Sequence, residues 1–230
     1  MSAALGRPRL HLRSTDSTNA RARELASAGA PHGTLVTAAE QTAGRGRQGR
    51  TWSAPPGRAL LLSLVLRTSD DLLSLRAGLA VADLAGPETR VKWPNDILDP
   101  GGRKLAGVLV EGRPQEGWAV LGIGVNVAVD VGDLPDDVRE RAGTLGRDPS
   151  ALEPALSELL TALEVRLGEP REASLAALRT RDALLDRRIA WANGAGTGGG
   201  IDEDGNLIVH RDDGAMLALR AGEVHLTPNE

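Results

Sequence analysis

Apolar residues along the chain follow two rhythms. Their succession predicts a strand-rich beginning, a helical middle and a strand-rich end. Residues 9–13 alternate weakly and predict a short strand, Ser14–Asn19 is polar and turn-like, and Ala20–Ala28 consists of good helix formers that stop before Gly29 and Pro31. Thr34–Ala39 predicts a strand, followed by a long loop rich in Gly and Arg, Gln41–Gly57. Ala59–Leu66 (ALLLSLVL) predicts a strand buried on at least one face, and Leu72, Leu75, Leu79 and Ala82 share one face of a helix. Val91–Leu98 predicts a short strand running into a proline-containing turn. Leu105–Glu111 and Trp118–Val127 predict two more buried strands, with 112–117 as the hairpin loop between them.

The rhythm then becomes helical. Leu152, Leu156, Leu159, Leu160, Leu163 and Leu167 lie on one face of a helix whose start has two readings. Ser150 with Glu153 has the form of a capping box, whereas Pro154 suits the first helical position. Leu175–Leu185 predicts a second helix. From Arg187 onward, short apolar pieces (Arg188–Trp191, Leu207–Val209, Met216–Leu219, Val224–Leu226) alternate with Asp204-Gly205, Asp213-Gly214 and the glycine-rich run 194–200. Asp-Gly steps favour tight hairpin turns because Gly tolerates positive φ. The pattern predicts a small barrel-like β domain over residues 186–230, behind a larger domain over residues 1–185. No internal repeat is evident.

Composition narrows the chemistry. With 41% hydrophobic and 25% charged residues in 230, a core is available, but it is built from Leu, Val and Ala because Phe and Tyr are absent. A net charge of −4 argues against bulk electrostatic binding of nucleic acid. The absence of Cys excludes disulfides, thiolate catalysis and Cys-ligated zinc. No stretch has the form of a signal peptide or is long and apolar enough to span a bilayer, so the cytoplasm is the expected location.

Five stretches carry candidate chemistry. In Gly44-Arg45-Gly46-Arg47-Gln48-Gly49-Arg50, followed by Thr51-Trp52, glycines permit close backbone approach and arginines offer planar forks for carboxylate and phosphate oxygens. The competing reading is a flexible basic loop or an RNA-binding Gly/Arg segment. Lys92-Trp93-Pro94-Asn95-Asp96 places a cation, an amide and a carboxylate on a bend fixed by Pro94, where the carboxylate could orient or deprotonate an amine. A surface turn is the alternative. Lys104-Leu105-Ala106-Gly107 sets a lysine at the mouth of a buried strand, which matters only beside a phosphate. Gly122-Ile123-Gly124-Val125-Asn126 favours close backbone approach, with Asn126 offering paired donor and acceptor groups to a flat heterocycle. Ser17-Thr18-Asn19 with Gln41 could recognise a neutral polar ring, although Ser17 or Thr18 alone reads as a helix cap. None of the four His has metal-ligand spacing with another.

Taken in order, STN (17–19), GRGRQGRTW (44–52), KWPNDI (92–97), KLAGVLVE (104–111) and GIGVNV (122–127) resemble the biotin–protein ligase family. The tail around Gly200-Ile201-Asp202, Gly205 and Gly222-Glu223-Val224 is similar to that family's small SH3-like domain. The resemblance implies an α+β fold: a central mixed β-sheet flanked by helices, related to class II tRNA synthetases and lipoate ligases, with a C-terminal SH3-like β-barrel. It implies that biotin and ATP, with Mg2+, form biotinyl-5′-AMP, and that biotin then passes to one lysine of a biotin carboxyl carrier protein. Ser17, Thr18, Asn19, Gln41, Gly44, Arg45, Lys104 and Gly107 are then expected around biotin. Arg47, Arg50, Trp52, Lys92, Asn95, Lys104 and Asn126 are expected around the adenylate. Arg45, Arg47, Asp96 and Lys104 are the expected catalytic group, with magnesium arriving with ATP near Asn95 and Asp96.

Gln48 stands where many members of the family carry another arginine, and the 194–200 run is unusual for it. Fewer than a dozen residues precede the first predicted strand, which leaves no room for a helix-turn-helix, and no specific DNA binding is expected. Family members are monomers or homodimers. Rival readings are a lipoate or octanoyl transferase on the same fold, a non-catalytic small-molecule sensor, and an RNA-binding protein. The first would need a different pocket for an acyl chain, and the GRGRQGR and KWPND motifs fit biotin better. A full cation set with Lys104 and Asp96 retained is unnecessary for the second. The acidic balance and the lack of Phe and Tyr oppose the third.

Overall fold

The stretch Ala59–Leu66, apolar except for Ser63, is buried at every position because it is a central strand of a sheet, covered at this strand on both faces. The computed structural model describes residues 4–67 and 70–227. Its elements run β1 (Arg9–Leu12), α1 (Thr18–Ser27), β2 (Leu35–Ala38), β3 (Ala59–Leu66), α2 (Leu73–Ala85), β4 (Arg90–Lys92), β5 (Asp96–Leu98), β6 (Lys104–Arg113), β7 (Trp118–Asn126), α3 (Asp136–Arg139), α4 (Leu152–Gly168) and α5 (Arg171–Thr180). Then follow β8 (Arg188–Trp191), β9 (Gly194–Ile201), β10 (Leu207–Arg211), β11 (Met216–Leu219) and β12 (Val224–Leu226).

A seven-stranded sheet has the order β1-β2-β3-β7-β6-β5-β4, with β1 and β2 parallel and the other pairs antiparallel. One face packs on α2 and α4, where Leu79, Leu159 and Leu163 are fully buried. The other face is covered only in part by α1, through Ala22 and Ala26 against Val65, Trp118 and Val120. A second, antiparallel sheet of five strands has the order β11-β10-β9-β8-β12. Ile189, Ile201, Leu207, Val209 and Val224 of this sheet join the same apolar cluster as Leu72, Leu75 and Trp93. The two sheets therefore share a core although no strand pairs between them.

Local expectations were corrected where a distant partner took over. The segment 91–98 is two strands, not one, with Lys92 opposite Asp96 in a hairpin. The polar stretch before α1 ends earlier than expected, at Ser17. This residue is the N-cap by position but makes no side-chain cap bond. Gln41 Oε1 instead accepts from the Thr18 amide at 2.7 Å, satisfying a helix-terminal N–H that has no partner within the helix. No capping box forms at α4. Asp148 caps a preceding single turn by accepting from the Ser150 amide, and Pro154 is the third residue of α4, where a missing N–H costs nothing.

The helix expected over 175–185 is α5, which ends at Thr180. The chain beyond it pairs with Val91, whose amide donates to Arg181 O and whose carbonyl accepts from Ala183 N. The glycine-rich run 194–200 is strand β9 rather than a turn. A Cβ at Gly198 would lie 2.0 Å from Leu184 O, so the run is glycine because other backbone crosses it. Gly198→Ala is expected to destabilise the protein by about 2 kcal/mol or more. In thermal unfolding, that corresponds to a midpoint lowered by roughly 5 °C.

Candidate active site

On the face that α1 leaves uncovered, small residues lie side by side. Gly107 of β6 is paired with Gly124 of β7, and Gly122 sits opposite Ser63 of β3. Without side chains at these points the sheet surface is sunken. The result is a cleft of about 870 Å³, counted to its open mouth. Loop 44–52 roofs it, and the Trp52 indole lies on the glycine floor. A Cβ at Gly124 would stand 2.5 Å from Trp52, and one at Gly107 3.2 Å.

The inner end is neutral and polar. Ser63 Oγ is 2.6 Å from Asn19 Oδ1 and 2.8 Å from Thr18 Oγ1. An amide oxygen only accepts, so Ser63 gives its one proton to Asn19. The Thr18 hydroxyl then donates to Ser63 or to Gln41 Oε1, which is 3.0 Å away. Asn19 Nδ2 donates to Glu111 at 2.8 Å. With the Gln41 oxygen engaged by Thr18, its amide nitrogen is the group left to meet a ligand. Ser17 lines the same end.

The outer end is cationic. Lys104 Nζ is 2.6 Å from Asp96 Oδ1 and 5.6 Å from the Trp52 ring centroid, a cation–π distance. Lys92 Nζ is 3.8 Å from the other Asp96 oxygen. Each arginine of the loop reaches a different element: Arg45 to Glu111 at 3.4 Å, Arg47 to Asn95 Oδ1 at 3.3 Å, and Arg50 to Glu223 beside β12. Burial lowers the Lys92 pKa from its ordinary value. Asp96 opposes that shift, while Lys104, Arg50 and Arg141 reinforce it. Burial likewise lowers the Arg47 pKa against the pull of Asp96. Five cations against three carboxylates make this end attractive to anions.

Most residues singled out in the sequence thus face one cleft, including Gly107 in its floor and Asn95 and Asp96 at the β4–β5 turn. Two do not. Asn126 is 6% exposed and its amide donates to Gly143 O at 2.9 Å. Gly44 lines a separate groove under the loop, where its carbonyl accepts from the Trp52 amide and closes the loop's neck. Sequence reasoning gave no role to Ser63, Glu111 or Glu223. Ser63 had a signal, as the lone polar residue in ALLLSLVL. Glu111 stands at the end of the KLAGVLVE motif and Glu223 beside a turn, but their partners lie far away in the chain.

The residues present do not form a protein-held magnesium site. Asp96 has both oxygens turned to ammonium groups, and Asn95 Oδ1 is engaged by Arg47. Among the described residues no group of three or more His, Asp or Glu is placed to hold a metal ion. No helix among them is long and apolar enough to cross a membrane.

The architecture, a mixed seven-stranded sheet flanked by helices with a five-stranded antiparallel sheet behind it, is the biotin protein ligase fold. The Aquifex aeolicus biotin protein ligase structure, in complex with biotin and ATP, superposes with a TM-score of 0.80 at 24% identity, over 96% of this chain and 100% of that one. The model of the biotin/lipoate A/B protein ligase family matches residues 11–128, and the chain belongs to that family. The biotin–[acetyl-CoA-carboxylase] ligase of Mycobacterium tuberculosis is 36% identical, over 91% of this chain and 85% of its own. That of Paracoccus denitrificans is also 36% identical, over 91% and 97%. The bifunctional ligase/repressor BirA of Bacillus subtilis is 41% identical over 143 residues, a match that spans 44% of its length.

The Lys92 shift yields a pH prediction. The folded protein binds this proton less tightly than the unfolded chain. The cost of keeping Lys92 charged is therefore fully present below its folded pKa. It is relieved as pH rises from there toward the ordinary 10.5. In Asp96→Asn, which removes the one opposing charge, the Lys92 pKa should fall further. Side-chain 15N NMR titration reads this directly, and an unchanged or raised value would contradict the assignment.

Proposed function

We propose that this protein activates biotin with ATP to biotinyl-5′-AMP and then transfers biotin to the ε-amine of one lysine on a biotin carboxyl carrier protein. The observation that carries this reading is the continuity of a neutral hydrogen-bonding pocket at Thr18, Ser63 and Gln41 with a cationic wall at Lys104 and the arginine loop. Biotin matches such a cleft, with a polar uncharged ring at one end and a carboxylate at the other. The names of the Mycobacterium and Paracoccus relatives support it.

In the first step the biotin carboxylate attacks the α-phosphorus and pyrophosphate leaves. Two anions must meet, and the cations lower that repulsion where charge develops. Ser17, Thr18, Asn19 and Gln41 hold the ring over Gly107, with Gly44 closing the loop. Arg45 and Lys104 receive the carboxylate; Arg47, Arg50, Lys92 and Asn95 face the phosphates. Trp52 shields the anhydride from water. Asn126 acts on the adenine side by holding the 143–145 segment through Gly143. The residues of the cleft would hold no Mg2+ themselves; one arriving with ATP would offset phosphate charge beside Asn95 and Asp96.

In the second step a carrier amine attacks the anhydride carbonyl, AMP leaves and an amide forms. Lys104, drawn to the α-phosphate, releases Asp96, which then orients the incoming ammonium and takes its proton. Residues 1–185 form the catalytic unit in this reading, and residues 186–230 the SH3-like unit that braces it.

Pyrophosphate release from ATP should require biotin, and a carrier domain should then gain one biotin on a single lysine by mass. Lys104→Ala and Arg45→Ala should each lose about 100-fold or more of the first step. Release with lipoate but not biotin would move the chain to the lipoate branch of its family. The polar floor argues against that, because buried hydrogen-bonding groups reject a ligand that leaves them unpaired. Biotin with ATP should also slow protease cleavage within 44–52, and equal cleavage with and without them would remove the shielding role of that loop.

A further inference from the structure

The arginine loop stands off β6, with a groove between it and Leu109–Glu111. Of its three side-chain anchors, the one at Glu111 differs in kind. Glu111 lies opposite Val120 in the sheet register, two residues on from Leu109 and four from Gly107, so it faces the cleft side. Its carboxylate gathers donors from two separate segments. Oε2 accepts from Asn19 Nδ2 at 2.8 Å, while Oε1 accepts from Arg23 of α1 at 3.3 Å and Arg45 of the loop at 3.4 Å.

The charge at this node matters. One carboxylate facing two guanidinium groups leaves a net positive charge. Had Glu111 paired with Arg45 alone, it would cancel the cation it holds and repel an approaching carboxylate. With Arg23 sharing the same oxygen, Arg45 is aimed but not neutralised. The other end of the carboxylate fixes Asn19, whose oxygen takes the Ser63 proton in the cleft floor. Gly122 is bare at this point, and a Cβ there would lie 2.1 Å from Asn19 Oδ1. A single side chain thus ties the neutral end of the cleft to its cationic end.

We propose that Glu111 is a positioning residue for the acid substrate. It holds Arg45 at the cleft and Asn19 in its floor, and Arg23 supplies the counter-charge that keeps Arg45 able to bind a second carboxylate. The inference rests on the reading of the substrate as a carboxylic acid activated by ATP. Glu111 touches no reacting atom and acts through Arg45 and Asn19.

Glu111→Gln keeps the side chain's size and an acceptor for Asn19 but removes the charge. At saturating ATP, the KM for biotin in pyrophosphate release should rise about tenfold with kcat within about twofold, the pattern of lost ground-state binding. In an Arg45→Ala background the same change should alter KM by less than about twofold, because the group it positions is gone. Arg23→Ala should raise the KM of the otherwise native protein and be silent beside Glu111→Gln. A second readout needs no substrate: trypsin should cut the free Glu111→Gln protein within 44–52 several-fold faster than the native protein. An equal KM rise with and without Arg45, or no rise at all, overturns the proposal, and so does unchanged trypsin cleavage. Absence of biotin-dependent release by the native protein would instead overturn the substrate assignment, while the trypsin comparison still judges the Glu111 node.

Discussion

The cross-strand pair Gly107–Gly124, with Gly122 beside it, is the constraint on which the rest of the site depends. Most of the other sheet positions carry side chains that meet a helix, fill the core or line the cleft. At these three points nothing projects, so the surface sinks and an aromatic ring can lie flat on backbone. The loop needs that depression, because Trp52 is its only large apolar side chain and has no other seat in this face. The cations follow from the same geometry. Lys104 starts the strand that contains Gly107, and Asp96 is hydrogen-bond registered against Gly107 from the neighbouring strand. Once the floor is fixed, the lysine and carboxylate beside it are fixed within a few ångströms.

Much of this was legible along the chain because it is local. The seven apolar residues of β3, the β6–β7 hairpin and the Gly/Arg loop each declare themselves within a dozen positions. Grouping Thr18, Gln41, Arg45, Lys92 and Lys104 in one place needed the motif order as well as the pattern. What stayed hidden was set by partners remote in sequence. Val91 takes up the backbone after Arg181, so α5 stops early. Leu184 and His210 press on Gly198 and Gly196, so a run that looks like a flexible turn is an extended strand. Ser63 seems a defect in an apolar strand until Thr18 and Asn19 are brought beside it. Asn126 keeps its predicted chemistry but spends it on Gly143, because a buried amide must find a partner and a carbonyl lay within reach.

No strand of the smaller sheet pairs with the larger one, yet the two are continuous in packing. Trp93 Nε1 donates to Gly205 O at 3.0 Å in the buried interior, tying the turn that carries Asn95 and Asp96 to the β9–β10 turn. Arg50 reaches Glu223 from the opposite side of the cleft mouth. The two contacts hold the lip of the site from both directions. The small sheet is thus part of the frame that sets loop and turn at a fixed separation.

That shared core also bears on the order in which the molecule can be completed. A chain emerges from the ribosome amino end first, so the glycine floor, the lysines and the arginine loop are all made before β8. Ile189, Ile201, Leu207, Val209 and Val224, which pack around Leu72 and Trp93, are made after them. Until they arrive, the turn bearing Asp96 rests on an unfinished apolar surface. The cleft is therefore complete only once β12 has been made, and a chain cut before β8 would carry the five motifs of residues 17–127 yet lack the apolar wall packed against Leu72 and Trp93.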